Sequence, residues 1–251
     1  MSVPWSYPIP YVRGRDLDEI QTALSEVGSE VVSYITYCDF ITSRPVARQS
    51  QVAHVRKSLE RAAALGASRT LIFPGTLEGD VSPEVARSWI SEGLEDCLSD
   101  ASRLRITLTI ENLGMQTIVY GRSDHLQAIC DFVGPELKVT YDVGNFLLVA
   151  EDSLQALDRL APRLVHVHFK DWQVLPVRGE HPEHVFPGVD GRYYEGTVLG
   201  EGVVDLKGPV KRLKELNYNG YLSVEYEGIG EPKEAVSRSV QYLRSLLEGS
   251  V

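Results

Sequence analysis

Apolar and polar residues alternate most clearly in residues 164–172, LVHVHFKDW. A strand points successive side chains to opposite faces, so one face of this segment carries Val165, Val167 and Phe169. The opposite face carries His166, His168 and Lys170. Such a strand suits a parallel sheet with helices on one side and a polar cavity on the other, as in closed parallel barrels. An edge strand whose histidines face water is the alternative.

Three more segments repeat this alternation, and each places a carboxylate on its polar face near its end. The segments are ITLTIENLG at 106–114, KVTYDVGN at 138–145 and YLSVEYEG at 221–228. Their acids are Glu111, Asp142 and Glu225. Parallel α/β folds place their active sites at the carboxyl ends of the strands. Four strands that each carry an acid or a histidine there favour a functional cavity over an edge strand.

Helical periodicity fills the segments around the predicted strands. Apolar residues recur at helical spacing in residues 16–27, 46–65, 82–104, 123–132, 153–160, 206–216 and 232–247. Two further strands are predicted at residues 31–37 and 69–73. This regular βα alternation implies a parallel sheet. Residues 1–12 are rich in proline and aromatic residues, and we expect either a short strand or an arm lying across a neighbour.

Composition narrows the class of protein. The length of 251 residues suits one large α/β domain, and no linker or repeat divides it, so we predict a single domain over 1–251. A net charge of -10 argues against a nucleic-acid partner, because such partners select basic patches. No apolar run approaches a membrane span, and the first residues lack a signal-peptide pattern. The three widely spaced cysteines indicate reduced thiols of a cytoplasmic protein.

The acids and histidines of the four strands predict a metal site. One imidazole with three carboxylates is mostly an oxygen-donor set, which favours Mn²⁺, Mg²⁺ or Co²⁺ over the ligand sets typical of zinc. Without a cation, the mutual repulsion of the carboxylates should raise some of their pKa values. The sequence contains no glycine-rich phosphate loop or dinucleotide fingerprint between a strand and a helix.

The order of these motifs resembles a known family. The run IENLG, YDVGN, HVHFKD and VEYEG, with the late GEGVVD, is similar to the xylose isomerase-like barrel family of sugar isomerases and epimerases. The resemblance extends from about residue 16 to the end of the chain. It implies a (β/α) TIM-type barrel with an atypical N-terminal part. It also implies four ligands for a divalent metal, with Mn²⁺ the first expectation: Glu111, Asp142, His168 and Glu225.

The resemblance further implies proton transfer at a carbon next to a carbonyl. Glu111 and Glu225, which come from different strands, would supply the general base and the general acid. Further side chains are candidates for contact with a small carbohydrate substrate: Lys170, Asn145, His166, His181 and Arg192. A packed core histidine is the alternative role of His166, and an ion pair with a neighbouring aspartate is that of Lys170.

Three positions depart from the ketose 3-epimerases of this family. Those enzymes carry a histidine at the position of Asn145 and a second glutamate at the position of Thr117. Their segment after the paired histidines runs to an arginine, whereas this chain has Lys170-Asp171-Trp172. These departures disfavour a ketose 3-epimerase.

Two features do not fit the regular strand–helix alternation of an eight-stranded barrel. Residues 173–205 form a long connection after the histidine strand, and we predict a lid over the cavity, with a surface excursion as the alternative. Six strands are predicted where the family barrel has eight. Residues 5–12 could supply another strand. Otherwise an open sheet edge would be covered by a partner subunit or a second copy.

The sequence thus predicts a metal-dependent isomerase or epimerase acting on a small sugar or sugar-derived ketone. A lyase or dehydratase, for example on 3-keto-glycosides or keto-inositols, is the alternative, because the same first proton abstraction can lead to elimination. An endonuclease of the same superfamily would need more histidines and a basic groove, and the chain has six histidines and a charge of -10. A non-catalytic barrel subunit is the remaining alternative.

Overall fold

The computed structural model describes residues 17–77, 79–115, 118–176 and 184–249. Its helices are α1 (Leu17–Val27), α2 (Pro45–Ala64), α3 (Pro83–Arg103), α4 (Ser123–Val133), α5 (Asn145–Leu148), α6 (Ser153–Leu160), α7 (Lys207–Glu215) and α8 (Pro232–Glu248). Its strands are β1 (Tyr34–Tyr37), β2 (Arg69–Phe73), β3 (Thr107–Glu111), β4 (Lys138–Asp142), β5 (Leu164–Phe169), β6 (Asp171–Leu175), β7 (Val185–Pro187), β8 (Tyr193–Thr197) and β9 (Tyr221–Val224).

The chain forms two compact units. One runs to Ile110 and includes Ala128–Lys138, and the other comprises Glu111–Gln127 and the chain from Val139 onward. In the first unit β1 pairs with β2, and β2 with β3, all in parallel. In the second unit β4 pairs with β5, and β5 with β9, again in parallel. The predicted parallel α/β class is confirmed, while the single-domain organisation stays a prediction.

In the first unit, helix α3 begins at a capping residue followed by proline, a sequence pattern typical of helix starts. Ser82 caps α3 by accepting a hydrogen bond from the N–H of Val85 (3.3 Å), and Pro83 follows at the first helical position. The ring of Phe40 lies so close to Gly93 of α3 that a Cβ on Gly93 would be 2.5 Å from the ring.

The three cysteines are free and buried, in agreement with the predicted reduced thiols. No helix in the described ranges is long and apolar enough to span a membrane.

The predicted strand at 164–172 is interrupted. β5 ends at Phe169, and Asp171 begins β6, which pairs in antiparallel fashion with β8 of a separate three-stranded sheet in the order β6-β8-β7. In its described residues, the connection at 173–205, which showed no obvious structure in the sequence, contains the end of β6 and the strands β7 and β8. Whether it acts as a lid stays a prediction.

The small sheet packs on the short helix α5. Trp172 and Tyr194 are fully buried and form a cluster with Leu148 of α5. The indole N–H of Trp172 donates to the carbonyl oxygen of Gly144 (3.0 Å), and the ring of Phe186 packs on the indole at 4.9 Å. These contacts attach the small sheet to the turn that directly follows Asp142.

The hydrogen bonds of Asp171 fix the point at which the chain passes from β5 into the small sheet. Its buried carboxylate accepts hydrogen bonds from four backbone N–H groups, those of Trp172 (2.9 Å), Gly200 (2.9 Å), Gly202 (3.0 Å) and Val204 (3.0 Å). A Cβ on Gly202 would lie 2.2 Å from Asp171 Oδ1, so the loop can approach the carboxylate only because glycine is there. The carboxylate thus fixes the start of β6 and the GEGVVD segment together.

We expect Asp171→Ala to lower the free energy of unfolding by about 3 kcal/mol or more, because each buried N–H left unpaired costs about 1–3 kcal/mol. Urea denaturation followed by circular dichroism measures this. Asp171→Asn, which retains a carboxamide oxygen, should lose less. The control is Asp158→Ala, since Asp158 forms an exposed ion pair with Arg212 and should contribute below about 1 kcal/mol. Equal stability of the Asp171→Ala and Asp158→Ala variants would contradict the assigned role.

Candidate metal centre

Four potential metal donors stand at the carboxyl ends of parallel strands. Glu111 and Asp142 are the last residues of β3 and β4, and His168 is the last but one of β5. Glu225 follows β9, and its backbone N–H donates to the carbonyl oxygen of Phe169 (2.9 Å). The strand periodicity therefore brings together the four residues that the sequence predicted as ligands.

Strand register decides that these side chains share one face. β4 and β5 pair Val139 with Leu164 but Asp142 with His168, because the register shifts by one residue after Val139. Without that irregularity Asp142 would stand beside Val167, whose side chain points to the opposite face. The local bulge thus places the carboxylate and the imidazole side by side.

The donor atoms form a tight and largely buried cluster. One ligand atom from each of Glu111, Asp142, His168 and Glu225 lies within 4.8 Å of the others. His168 Nδ1 is 2.7 Å from Glu111 Oε1 and 3.0 Å from Glu225 Oε1. Glu111 and Asp142 are almost fully buried, whereas the side chain of Glu225 is 29% exposed. Solvent therefore reaches the cluster most readily at Glu225.

Asp142 Oδ2 is buried and lacks a hydrogen bond in the described parts of the chain, and Glu111 Oε1 and His168 Nδ1 have there only the short ion-pair contacts given above. Leaving buried polar atoms unsatisfied is costly, and leaving carboxylates so is more costly still. A divalent cation in contact with all three would satisfy them together. The residues present therefore fit a metal ion, and the mostly oxygen-donor set suits Mn²⁺ or Mg²⁺.

The electrostatics of the cluster show what a cation would replace. Burial raises the pKa of Asp142 to about 7, and it also raises the pKa of Glu111. Burial opposes the charged form of His168, but Glu225 and Glu111 outweigh it and hold its pKa well above the ordinary value. Burial likewise opposes the anion of Glu225, yet Lys170 and His168 hold its pKa well below the ordinary value. A metal ion would take the place of the His168 proton, so binding should release protons.

Two asparagines orient Asp142. Asn112 donates from Nδ2 to the carbonyl oxygen of Asp142 and accepts the N–H of Asp142 at Oδ1, both at 2.9 Å. The backbone N–H of Asn145 donates to Asp142 Oδ1 (2.7 Å), and Asn145 Nδ2 donates to the carbonyl oxygen of Asn112 (3.0 Å). Because Oδ1 is occupied in this way, Oδ2 is the oxygen left for the cluster. The sequence analysis missed Asn112, although it directly follows Glu111.

Lys170 stands beside the cluster and is nearly buried. Its Nζ lies 2.9 Å from Glu225 Oε2, 2.9 Å from Glu227 Oε2 and 3.8 Å from Asp142 Oδ2. It also lies 5.4 Å from the centre of the Trp172 ring. The predicted ion pair of Lys170 with an aspartate thus takes a different form, with two glutamates as the nearer partners. Glu227 was not among the predicted site residues.

The other predicted substrate contacts lie in different surroundings. His166 is buried, with Nε2 at 2.8 Å from Ser223 Oγ and its ring packed edge-on against that of His168 at 4.6 Å. The amide side chain of Asn145 is engaged with Asn112, as described above. Arg192 is exposed and pairs with Asp190 (3.3 Å) next to β8. His181 lies outside the described residues.

Comparisons with known proteins show which family and which fold the chain resembles. A family model described as "Xylose isomerase-like TIM barrel" matches residues 5–246. The inosose dehydratase of Lacticaseibacillus casei is 30% identical over 135 residues, which cover 52% of this chain and 43% of that protein. The chain therefore matches less than half the length of this relative.

Solved structures show the same fold. A crystal structure of IOLI protein with a binding zinc atom has a TM-score of 0.75 at 14% identity and covers 95% of this chain and 84% of that one. A D-tagatose 3-epimerase-like protein has a TM-score of 0.74 at 19% identity, with coverages of 94% and 84%. These likenesses confirm the predicted TIM-type barrel. The predicted extra N-terminal strand falls within residues 1–16, outside the described residues.

We expect Asn145→Ala to weaken Mn²⁺ binding about 10-fold, the lower end of the range for partners that orient a metal ligand, because its side chain holds Asn112, whose own side chain holds the backbone of Asp142. Titration of free Mn²⁺ by electron paramagnetic resonance measures the change. Asn219→Ala, at an exposed position, is the matched control. If the Asn145 variant binds Mn²⁺ as tightly as the control does, the side chain of Asn145 does not help to orient Asp142.

Proposed function

Because the chain belongs to the xylose isomerase-like TIM barrel family, we propose that it is a metal-dependent enzyme acting on small polyhydroxylated ketones. The proposed reaction moves a proton at the carbon next to the carbonyl, and its outcome is isomerisation or epimerisation. The observation that carries the proposal is the four-donor cluster, in which Asp142 Oδ2 is buried without a hydrogen bond in the described chain. The site residues assigned below are part of this proposal.

The metal would be held by Glu111, Asp142, His168 and Glu225. A divalent ion there would supply Lewis acidity toward the carbonyl oxygen and a neighbouring hydroxyl oxygen, and would thereby acidify the adjacent C–H. We propose Mn²⁺ as the ion, with Mg²⁺ and Co²⁺ as alternatives. The zinc atom of the IOLI protein structure makes zinc a further ion to include in any loading experiment.

Glu225 is the proposed proton acceptor. It is the most exposed of the four donors, so a substrate entering from solvent meets it first. Lys170, at 2.9 Å from Glu225 Oε2, keeps this carboxylate anionic and supplies positive charge where negative charge develops on the substrate oxygens. Glu111, which is buried and lies 2.7 Å from the same nitrogen of His168 that Glu225 contacts, is the proposed second group for proton return.

Dehydration is the second candidate reaction. It is favoured by the similarity to the inosose dehydratase of Lacticaseibacillus casei. The first step would be the same: the C–H bond breaks and its proton passes to a glutamate. The electron pair then forms a C=C bond while the C–O bond at the next carbon breaks, and the hydroxyl leaves as water after taking a proton.

The remaining predictions about partners follow from the proposed chemistry. The substrate would be a small carbohydrate or polyol ketone rather than a nucleic acid, and the protein would act in the cytoplasm. The expectation of a homo-oligomer or a partner subunit stays a prediction.

We expect metal-loaded protein in heavy water to place deuterium next to the carbonyl of at least one ketone among D-fructose, 2-keto-myo-inositol and 3-keto-D-glucoside. Proton NMR detects the exchange and also separates the two candidate reactions. Isomerisation and epimerisation preserve all oxygens, whereas dehydration gives a product lacking one hydroxyl. Protein stripped with a chelator is the control. Absence of exchange in every ketone by metal-loaded protein would contradict the proposal.

Glu225→Gln and Glu111→Gln should each reduce turnover at least about 100-fold, since general acid–base steps typically contribute about 10²–10⁴. Rates are compared per bound metal, because both residues are also proposed ligands. Near-normal turnover by both variants with metal bound would show that neither glutamate transfers the proton.

A further inference from the structure

Lys170 and Glu227 form an ion pair beside the metal cluster. Lys170 Nζ is 2.9 Å from Glu227 Oε2 and 2.9 Å from Glu225 Oε2. Only Glu225 of these two acids belongs to the four-donor cluster. Glu227 thus forms an ion pair with Lys170 beside the cluster, and it is not one of the four donors.

The charges of the site make the carboxylate of Glu227 available for another partner. The three carboxylates of the donor set carry three negative charges, which a divalent cation and the Lys170 ammonium would neutralise. Glu227 then adds a negative charge that the metal set does not need. The ammonium has three N–H donors, and two carboxylate oxygens lie within hydrogen-bonding distance of it. The pair can therefore offer both an acceptor and a donor to a ligand.

Exposure increases from the cluster toward Glu227. The side chains of Lys170 and Asp142 are 4% and 0% exposed, those of Glu225 and Glu227 are 29% and 39% exposed. The two glutamates therefore form the open side of the cluster. Of these four side chains, Glu227 is the most accessible to a ligand in solvent.

The backbone around Glu227 is held in place by the small sheet. A Cβ on Gly196 of β8 would lie 2.5 Å from the carbonyl carbon of Glu227 and 2.7 Å from the nitrogen of Gly228. This backbone-to-backbone contact requires glycine at position 196. The hydroxyl of Tyr226 also accepts the N–H of Gly230 (2.8 Å). Glu227 is consequently presented from a supported segment, as a specificity-determining side chain must be.

We propose that Glu227 is a substrate-binding residue that, with Lys170, binds two neighbouring oxygens of a polyhydroxylated ketone. One substrate hydroxyl donates to the Glu227 carboxylate, and the adjacent oxygen accepts from the Lys170 ammonium. This inference rests on the proposed function. Glu227, which is not one of the metal donors, would thus select ketones that carry adjacent hydroxyls.

The test uses Glu227→Gln, which keeps the size of the side chain and removes its charge. The readouts are the KM and kcat of deuterium exchange for the panel ketone that the wild-type protein exchanges fastest, together with the affinity for myo-inositol, a polyol without a carbonyl, measured by calorimetry. We expect KM to rise and myo-inositol affinity to fall by about 10- to 100-fold, as for loss of a hydrogen bond to a charged group, with kcat changing less.

Metal content and thermal unfolding should be unchanged in Glu227→Gln. Glu95→Gln on the exposed face of α3 is the matched control for the same chemical change. Glu227→Asp, which retains the charge on a shorter side chain, should recover part of the affinity. If the wild-type protein exchanges a ketone and Glu227→Gln does so with the KM of the control, the role of Glu227 is overturned while the proposed function stands. If metal-loaded wild-type protein exchanges no ketone, the proposed function falls and this inference with it.

Discussion

The arrangement of this protein depends on bringing three carboxylates and an imidazole together at one edge of a parallel sheet. Burying charges of one sign is costly unless a partner compensates them. Here Asp142 and Glu111 are almost fully buried, Asp142 Oδ2 has no hydrogen bond within the described chain, and Glu111 Oε1 lies 2.7 Å from His168 Nδ1. The parallel strands place the donor residues at their carboxyl ends. The one-residue register shift between β4 and β5 directs the side chains of Asp142 and His168 to the same face. A divalent cation would fit this geometry and would compensate these charges.

Hydrogen bonds and an ion pair from neighbouring residues fix the positions of the cluster's side chains. Asn112 and Asn145 occupy one oxygen and the backbone of Asp142, which leaves its other oxygen for the cluster. Lys170 balances the anionic side at Glu225, and Asp171 then turns the chain into the small sheet through four backbone hydrogen bonds. Within residues 168–171, His168 is the last but one residue of β5, Lys170 lies beside the cluster, and Asp171 begins β6.

The three carboxylates and the histidine pair could be predicted from the sequence because strand alternation fixes the face of each residue and the βα order fixes which strand ends meet, whereas the choice of His168 over His166 came from the family resemblance. Other features depend on contacts that periodicity does not encode. The end of β5 at Phe169 depends on hydrogen bonds from Gly200, Gly202 and Val204, which are distant in sequence from Asp171. The strands β7 and β8 did leave a local signal, since a Pro-Gly and an Asp-Gly pair separate two β-prone runs. Glu227 becomes notable only through its distance to Lys170.

We propose that Glu111, Asp142, His168 and Glu225 hold one divalent cation. A crystal structure of the Mn²⁺-loaded protein, with anomalous diffraction data collected at the manganese edge, tests this proposal. We expect a single anomalous peak bonded to one atom of each of these four residues, at oxygen distances of about 2.0–2.3 Å. A peak at other residues, or these four side chains paired with one another in the presence of saturating Mn²⁺, would disprove a metal site at this position.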